Sequence, residues 1–187
     1  INSIDKCANT ASVYGAYLKK LKKSALKEME LTALPIMQGT VDCKVYNEDI
    51  SELIKNVSGD ILYLDPPYNA RQYCSNYHML ETIAKYDNPE IKGKTGLRDY
   101  TDQKSVFCIK NKVADAFADL IKNAKFKYIF LSYNNEGLMS FDTIEKIMKK
   151  YGKYKVFMQQ YRRFKADNAR DAKSDSTIEY LHCLIKE

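Results

Sequence analysis

The period of apolar and polar positions changes near residue 40. Before it, Val13, Tyr17, Leu21, Ala25 and Met29 recur at four-residue intervals within Ser12 to Met29, a spacing that winds an apolar stripe along one side of a helix. Lys19, Lys20, Lys22, Lys23 and Lys27 fall on the opposite side. Pro35 and Gly39 interrupt this pattern. From Cys43 onward, short apolar runs alternate with amphipathic segments, as expected of an open α/β sheet. The pattern predicts a strand at 43–47 (CKVYN), a short helix at 49–56 started by Asp49 or Ser51, and a buried strand at 60–65 (DILYLD). A helix near 76–87 and a loop rich in Asn88, Pro89, Gly93, Thr95 and Gly96 come next. Val113, Ala116, Phe117, Leu120, Ile121 and Ala124 then share one helical face. A strand at 127–132, a helix at 140–151 and strands at 154–159 and 177–186 complete the series, the last two forming an antiparallel hairpin across a polar connection. The chain therefore divides into a basic helical segment over 1–40 and an α/β portion over 41–187, with no internal repeat.

Composition narrows the class. The 187 residues suit one ordinary core, and 45% hydrophobic with 29% charged residues excludes a disordered tail, a collagen-like chain or a coiled coil. No stretch approaches the roughly 18 apolar residues of a membrane helix, and no secretory signal opens the chain, so a soluble, cytoplasmic protein is expected. The first residue is Ile1 and not Met, which suggests part of a longer polypeptide. Cys7, Cys43, Cys74, Cys108 and Cys183 include no CxxC pair and have only His78 and His182 beside them in the composition, so neither a disulfide framework nor a zinc site is predicted.

Lys and Arg exceed Asp and Glu by 30 to 24, a net charge of +6 that permits an anionic partner without proving one. Local clustering says more. The lysine face of the first segment suits either a phosphate backbone or plain solvation. In the polar connection, Arg162, Arg163, Lys165, Arg170 and Lys173 outweigh Asp167 and Asp171, while Tyr161 and Phe164 interleave with them, which favours phosphate contact.

The most specific feature is the strand running into Asp65-Pro66-Pro67-Tyr68. Ligands of open parallel sheets bind beyond the carboxyl ends of the strands, and these four residues would stand there. Each proline fixes its own φ and restricts its predecessor, so the carbonyls of Asp65 and Pro66 are aimed before any ligand arrives. Such a pair suits an exocyclic amino group of a nucleobase, whose nitrogen is a poor nucleophile because its lone pair is delocalised into the ring. A carboxylate and a carbonyl, each accepting one N–H, favour a more tetrahedral nitrogen with its lone pair aimed at an electrophile. Tyr68 is suited to stack on the base. No cysteine follows a proline in this loop, so attack on a pyrimidine carbon lacks its thiolate. The competing reading is a turn that simply ends a strand.

DILYLDPPYNARQY (60–73) resembles the catalytic loop of the D12 class of adenine-specific DNA amino-methyltransferases. Other stretches resemble the same family in the expected order: the basic segment 9–25, VYNEDISELI (45–54), YIFLSYNNEG (128–137), and YRRFKAD (161–167) with TIEYLHCLIK (177–186). The resemblance implies a partial Rossmann-like S-adenosylmethionine-dependent methyltransferase sheet with helices on its faces and a C-terminal antiparallel hairpin. It makes Asp65, Pro66, Pro67 and Tyr68 the catalytic loop and places Asp49 and Asp65 at the cofactor, with Asp49 on its adenine. It implies double-stranded DNA as partner, contacted by Lys19, Lys20, Lys23, Arg71, Tyr73, Arg162, Arg163 and Lys165, and a restriction-modification setting with a possible cognate nuclease. Loop packing and surface charge remain the alternative for Arg71 and Tyr73. Ser132, Tyr133 and Asn134 are candidates for the pocket wall, with core packing the alternative for Tyr133.

One departure stands out. The family's closely spaced glycines after the first strand are absent, Gly15, Gly39 and Gly59 being isolated. The missing element lies upstream in the family's motif order, so an exposed edge at Ile61-Leu62-Tyr63-Leu64 is expected, relieved by an N-terminal segment, a complementing chain or a second copy. Two further readings stay open: a catalytically silent DNA-binding fragment, and the same chemistry on RNA or on a protein glutamine amide.

Overall fold

The computed structural model describes residues 20–30, 33–39, 41–162 and 176–187, and the chain divides into two units, one of residues 1–47 with 73–103, the other of 48–72 with 104–187. In chain order the helices and strands are α1 (Ile50–Asn56), β1 (Ser58–Leu64), α2 (Tyr73–Asn76), α3 (His78–Lys85), α4 (Val113–Asn123), β2 (Lys125–Asn134), α5 (Phe141–Met148), β3 (Gly152–Arg162) and β4 (Ser176–Lys186).

The second unit carries the sheet. Its strand order is β1-β2-β4-β3, with β1 and β2 parallel and the remaining pairs antiparallel. Successive strand residues point to opposite faces. Leu62, Leu64, Ile129, Leu131, Tyr133 and Leu184 belong to the face that packs on Phe117, Leu120 and Ile121 of α4 and on Ile144, Ile147 and Met148 of α5. Burial of each such side chain contributes roughly 1.5–3 kcal/mol. Local signals fix the helix ends: Asp49 Oδ1 accepts the Ser51 N–H at 2.8 Å to start α1, and Ser140 Oγ accepts the Thr143 N–H at 3.2 Å to start α5. At the end of α4, Lys186 Nζ of β4 donates to the carbonyls of Ile121, Lys122 and Ala124 at 2.6–2.9 Å, supplying the cation that a helix C-terminus favours.

The first unit has little regular structure. Tyr86, at φ 50°, closes α3 with its N–H on the Thr82 carbonyl. Asp87 then takes a forked pair of bonds from the nearly buried Arg98, which holds the Asp87 carboxyl below the usual carboxylate range.

Most predicted elements form, and the C-terminal hairpin pairs over its full length from Gly152↔Lys186 to Arg162↔Ser176. Three expectations are corrected. Residues 43–47 make no strand: the segment has no regular structure and Val45 is 94% exposed, because an apolar run becomes a strand only beside a partner and none is present among the described residues. Of the helix expected over 12–29, residues 12–19 lie outside the described residues, and 20–30 hold only a 3-10 turn at Lys23–Leu26 with Leu21, Leu26 and Met29 exposed. A lysine-rich segment without a surface to bury its stripe does not offset the cost of nucleating a helix. The strand at 60–65 is not a buried one: β1 is an edge strand, with Ile61 63% and Tyr63 60% exposed and only Leu64 buried. Ile61, Tyr63 and Phe157 leave the sheet face opposite the helices apolar and open.

Candidate active site

β1 and β2 run parallel in register through Leu64↔Leu131, so Asp65, the first residue past β1, and Ser132, near the end of β2, lie side by side at the carboxyl edge of the sheet. The two prolines stop the β1 ladder there, and the chain turns. Tyr68 folds back so that its hydroxyl donates to Asp65 Oδ1 at 2.9 Å and lies 3.0 Å from Ser132 Oγ. Its carbonyl accepts the Leu138 N–H at 3.0 Å, and its ring packs on Tyr133 with centroids 5.0 Å apart and planes tilted by 60°. Burial pushes the Tyr68 hydroxyl well above the ordinary tyrosine pKa; the bond from Ser132 opposes this and Asp65 adds to it. Asp65 itself is exposed, so its carboxylate is open to a ligand.

The remainder of the loop is pinned from both sides. The Asn69 side chain accepts the Arg71 N–H at 2.9 Å, a local turn that Asn forms readily. Gln72 uses both ends of its amide on Ser105, donating to the carbonyl at 3.1 Å and accepting the N–H at 2.8 Å. The Cys108 thiol donates to the Arg71 carbonyl at 3.4 Å. These anchors were invisible in the sequence, since Gln72 and Ser105 are 33 residues apart with nothing local to link them. Ser132 was legible only as a pocket-wall candidate at the end of a predicted strand; it lies within β2.

The predicted pocket-wall residues part ways. Tyr133 is fully buried, and its hydroxyl accepts the Met139 N–H at 3.3 Å. Burial raises its pKa, and its part is in the core. Gly137 follows because Tyr133 demands it: a Cβ there would collide with the Tyr133 ring. Asn134 turns to Glu179 at 3.4 Å and to the Glu136 N–H at 3.1 Å.

Asp49 stands elsewhere in the unit, beside an open cavity of about 700 Å³ between α1 and α4, floored by Ile54, Val106 and Leu120 and rimmed by Lys55, Lys104 and Asp119. None of residues 65–68 lines it. One Asp49 oxygen is used in capping α1. For the implied cofactor, Asp49 offers a carboxylate at that cavity, whereas the described glycines form no tight backbone cradle for a methionine end, so the residues present fit one end only.

Of the residues predicted to meet DNA, Arg71 is exposed beside the loop, Lys20 and Lys23 are exposed in the first unit, and Tyr73 opens α2 and stacks on Tyr77 at 5.9 Å. Arg162 ends β3, while Lys19, Arg163 and Lys165, with Arg170 and Lys173, lie outside the described residues. Among the described residues no group of His, Cys, Asp and Glu is placed to hold a metal ion, and no helix is long and apolar enough to cross a membrane.

The profile of the family described as D12 class N6 adenine-specific DNA methyltransferase matches residues 1–148. The type II methyltransferase M.NlaIII of Neisseria lactamica is 55% identical over the whole chain, which covers 56% of that relative. The type II methyltransferase M.FokI of Planomicrobium okeanokoites is 47% identical over the whole chain and 29% of its own length, and M.CviAII of Paramecium bursaria Chlorella virus 1 is 41% identical over the whole chain and 55% of its own. The chain thus spans about half the length, or less, of these relatives. No solved structure matches it significantly.

Proposed function

The chain belongs to the D12 class of N6 adenine-specific DNA methyltransferases, and from that membership we infer that it carries the amine-activating part of an enzyme that methylates N6 of adenine in double-stranded DNA. The observation that carries this reading is an exposed Asp65 at the carboxyl edge of a parallel strand pair, followed directly by Pro66 and Pro67, whose rings restrict the backbone there. S-adenosylmethionine supplies the electrophilic methyl group when bound. The chain's own residues prepare the nitrogen: Asp65 and the Pro66 carbonyl each accept one N–H of a flipped adenine, drawing the nitrogen toward tetrahedral geometry, and Tyr68 with Pro67 bounds the base. In this reading Asp49 would accept from the cofactor's adenine and Asp65 would serve its reactive end.

DNA is held by charge. Lys19, Lys20, Lys23, Arg162, Arg163 and Lys165 suit phosphates, and Arg71 and Tyr73 follow the catalytic loop closely enough in sequence to meet the displaced nucleotide or its strand. The boundary between the basic segment and the catalytic portion falls near residue 40. The relatives' names as type II methyltransferases support a restriction-modification role, in the cytoplasm where the DNA lies, alongside a cognate nuclease. A further segment, from upstream or from another chain, covers the β1 edge and the open sheet face.

Asp65→Ala is expected to lower methyl transfer to DNA by at least about 10²-fold, the scale seen when a preorganised acceptor or donor is deleted, while retardation of duplex DNA in a gel is retained. Equal loss of both contradicts the role given to Asp65. The separation of the Asp49 cavity from residues 65–68 favours one second reading, a DNA-binding fragment that is silent by itself. Calorimetry separates the two: heat of S-adenosylmethionine binding to the isolated chain belongs to the first reading, and salt-dependent DNA binding without it to the second.

A further inference from the structure

The hydroxyl of Tyr68 has a single proton, and that proton is committed to Asp65 Oδ1 at 2.9 Å. The contact of 3.0 Å between Tyr68 and Ser132 therefore has one possible direction: Ser132 Oγ–H donates and the Tyr68 oxygen accepts. Ser132, Tyr68 and Asp65 thus form a one-way relay that ends on one carboxylate oxygen. We propose that Ser132 is a positioning residue that acts on Asp65 through Tyr68, holding Oδ1 so that Oδ2 faces the amine of the base.

The sheet register builds this relay. Ser132 stands one residue past the Leu64↔Leu131 pair, level with Asp65 across the parallel strands, while Tyr68 closes over both. The ring of Tyr68 is held at its backbone by Leu138, on its side by Tyr133 and at its hydroxyl by two bonds. Ser132 is the anchor that sets the hydroxyl end. Its removal leaves no buried group unpaired, because the Tyr68 proton still goes to Asp65. Stability is then little changed, yet the carboxylate and the ring that bounds the base both gain freedom, and catalysis tolerates such freedom poorly.

The inference rests on the reading of Asp65 as the amine acceptor, and a double-mutant cycle in the full gene product tests it. Tritiated methyl transfer from S-adenosylmethionine to genomic DNA lacking adenine methylation is measured for wild type, Ser132→Ala, Ser132→Thr, Tyr68→Phe and the Tyr68→Phe/Ser132→Ala pair. Ser132→Ala is expected to lower kcat by about 10-fold with KM for DNA unchanged, because positioning of the reacting groups is loosened while the groups that bind DNA stay in place. Ser132→Thr, which keeps the hydroxyl, restores most of the rate. In the Tyr68→Phe background, where the ring remains but the relay is cut, Ser132→Ala costs nothing further. Full kcat in Ser132→Ala, or additive losses in the pair, overturns the relay. A wild-type protein that binds DNA and cofactor yet transfers no methyl group contradicts the functional reading instead.

Discussion

On the proposed reading the carboxylate that receives the amine must itself be held, and here Tyr68, three residues on, bonds Asp65 while the distant Ser132 bonds Tyr68. Asp65-Pro66-Pro67-Tyr68 was legible because its chemistry is contiguous: a carboxylate, two stiff backbone units and a ring after an apolar run. Ser132 meets Tyr68 across 64 residues, and that pairing follows from the β1–β2 register, which no local pattern announces. His182 is a second case. It is fully buried in β4, its Nδ1 lies 2.7 Å from the Tyr154 hydroxyl, and the rings of Phe141, Tyr180 and Tyr154 surround it. Burial pushes its pKa down to about 4, with the Glu145 carboxylate opposing in part. The unfolded chain binds this proton near pH 6.5 and the native protein does not, so stability present above that pH is lost as pH falls from about 6.5 toward 4, by about 3 kcal/mol when complete. Thermal melting should therefore show Tm falling through this window in wild type, and less steeply in His182→Phe. An identical acid limb in the variant contradicts the assignment.

Among the elements, α4, α5, β2 and the C-terminal hairpin were legible because each has a complete apolar period and a partner within the second unit. The strand expected at 43–47 and the described part, 20–29, of the helix expected from Ser12 carried a period without a partner among the described residues. Their failure is one of tertiary support and not of propensity, which sequence patterns report poorly. The turn after β2 shows how an element steers the site from beneath. Gly137 leaves room for the Tyr133 ring, and that ring supports Tyr68. Gly137→Ala forces the aromatic pair apart, and overpacking of this kind costs about 1–3 kcal/mol. A lowered Tm together with reduced kcat is expected, measured by calorimetry and methyl transfer on the same preparation. A stable variant with unchanged Tm shows that the ring has space the structure denies it.

For the molecule as a whole, the sheet is covered on one face and exposed on the other. A parallel strand pair ordinarily has both faces covered, yet β1 is an edge strand with Ile61 and Tyr63 open to solvent. The free edge was legible once the missing glycine turn had been noticed; the open face was not, because the chain's own pattern cannot say which helices cover which side. The chain matches about half, or less, of the length of its relatives, and on the proposed reading a further segment covers this face. Light scattering checks this: the 187-residue chain alone is expected to self-associate, and a longer gene product that includes the cover is not. A strictly monomeric chain at high concentration counts against it. The claim on which the rest depends is that residues 65 and 66 present the exocyclic nitrogen of adenine for methylation. Mass spectrometry of nucleosides from unmethylated DNA, incubated with S-adenosylmethionine and the full gene product, tests it most directly. N6-methyladenine as the sole methylated base, absent when Asp65 is replaced by Ala, is the predicted result; a methylated cytosine, or N6-methyladenine formed at the wild-type rate by Asp65→Ala, contradicts it.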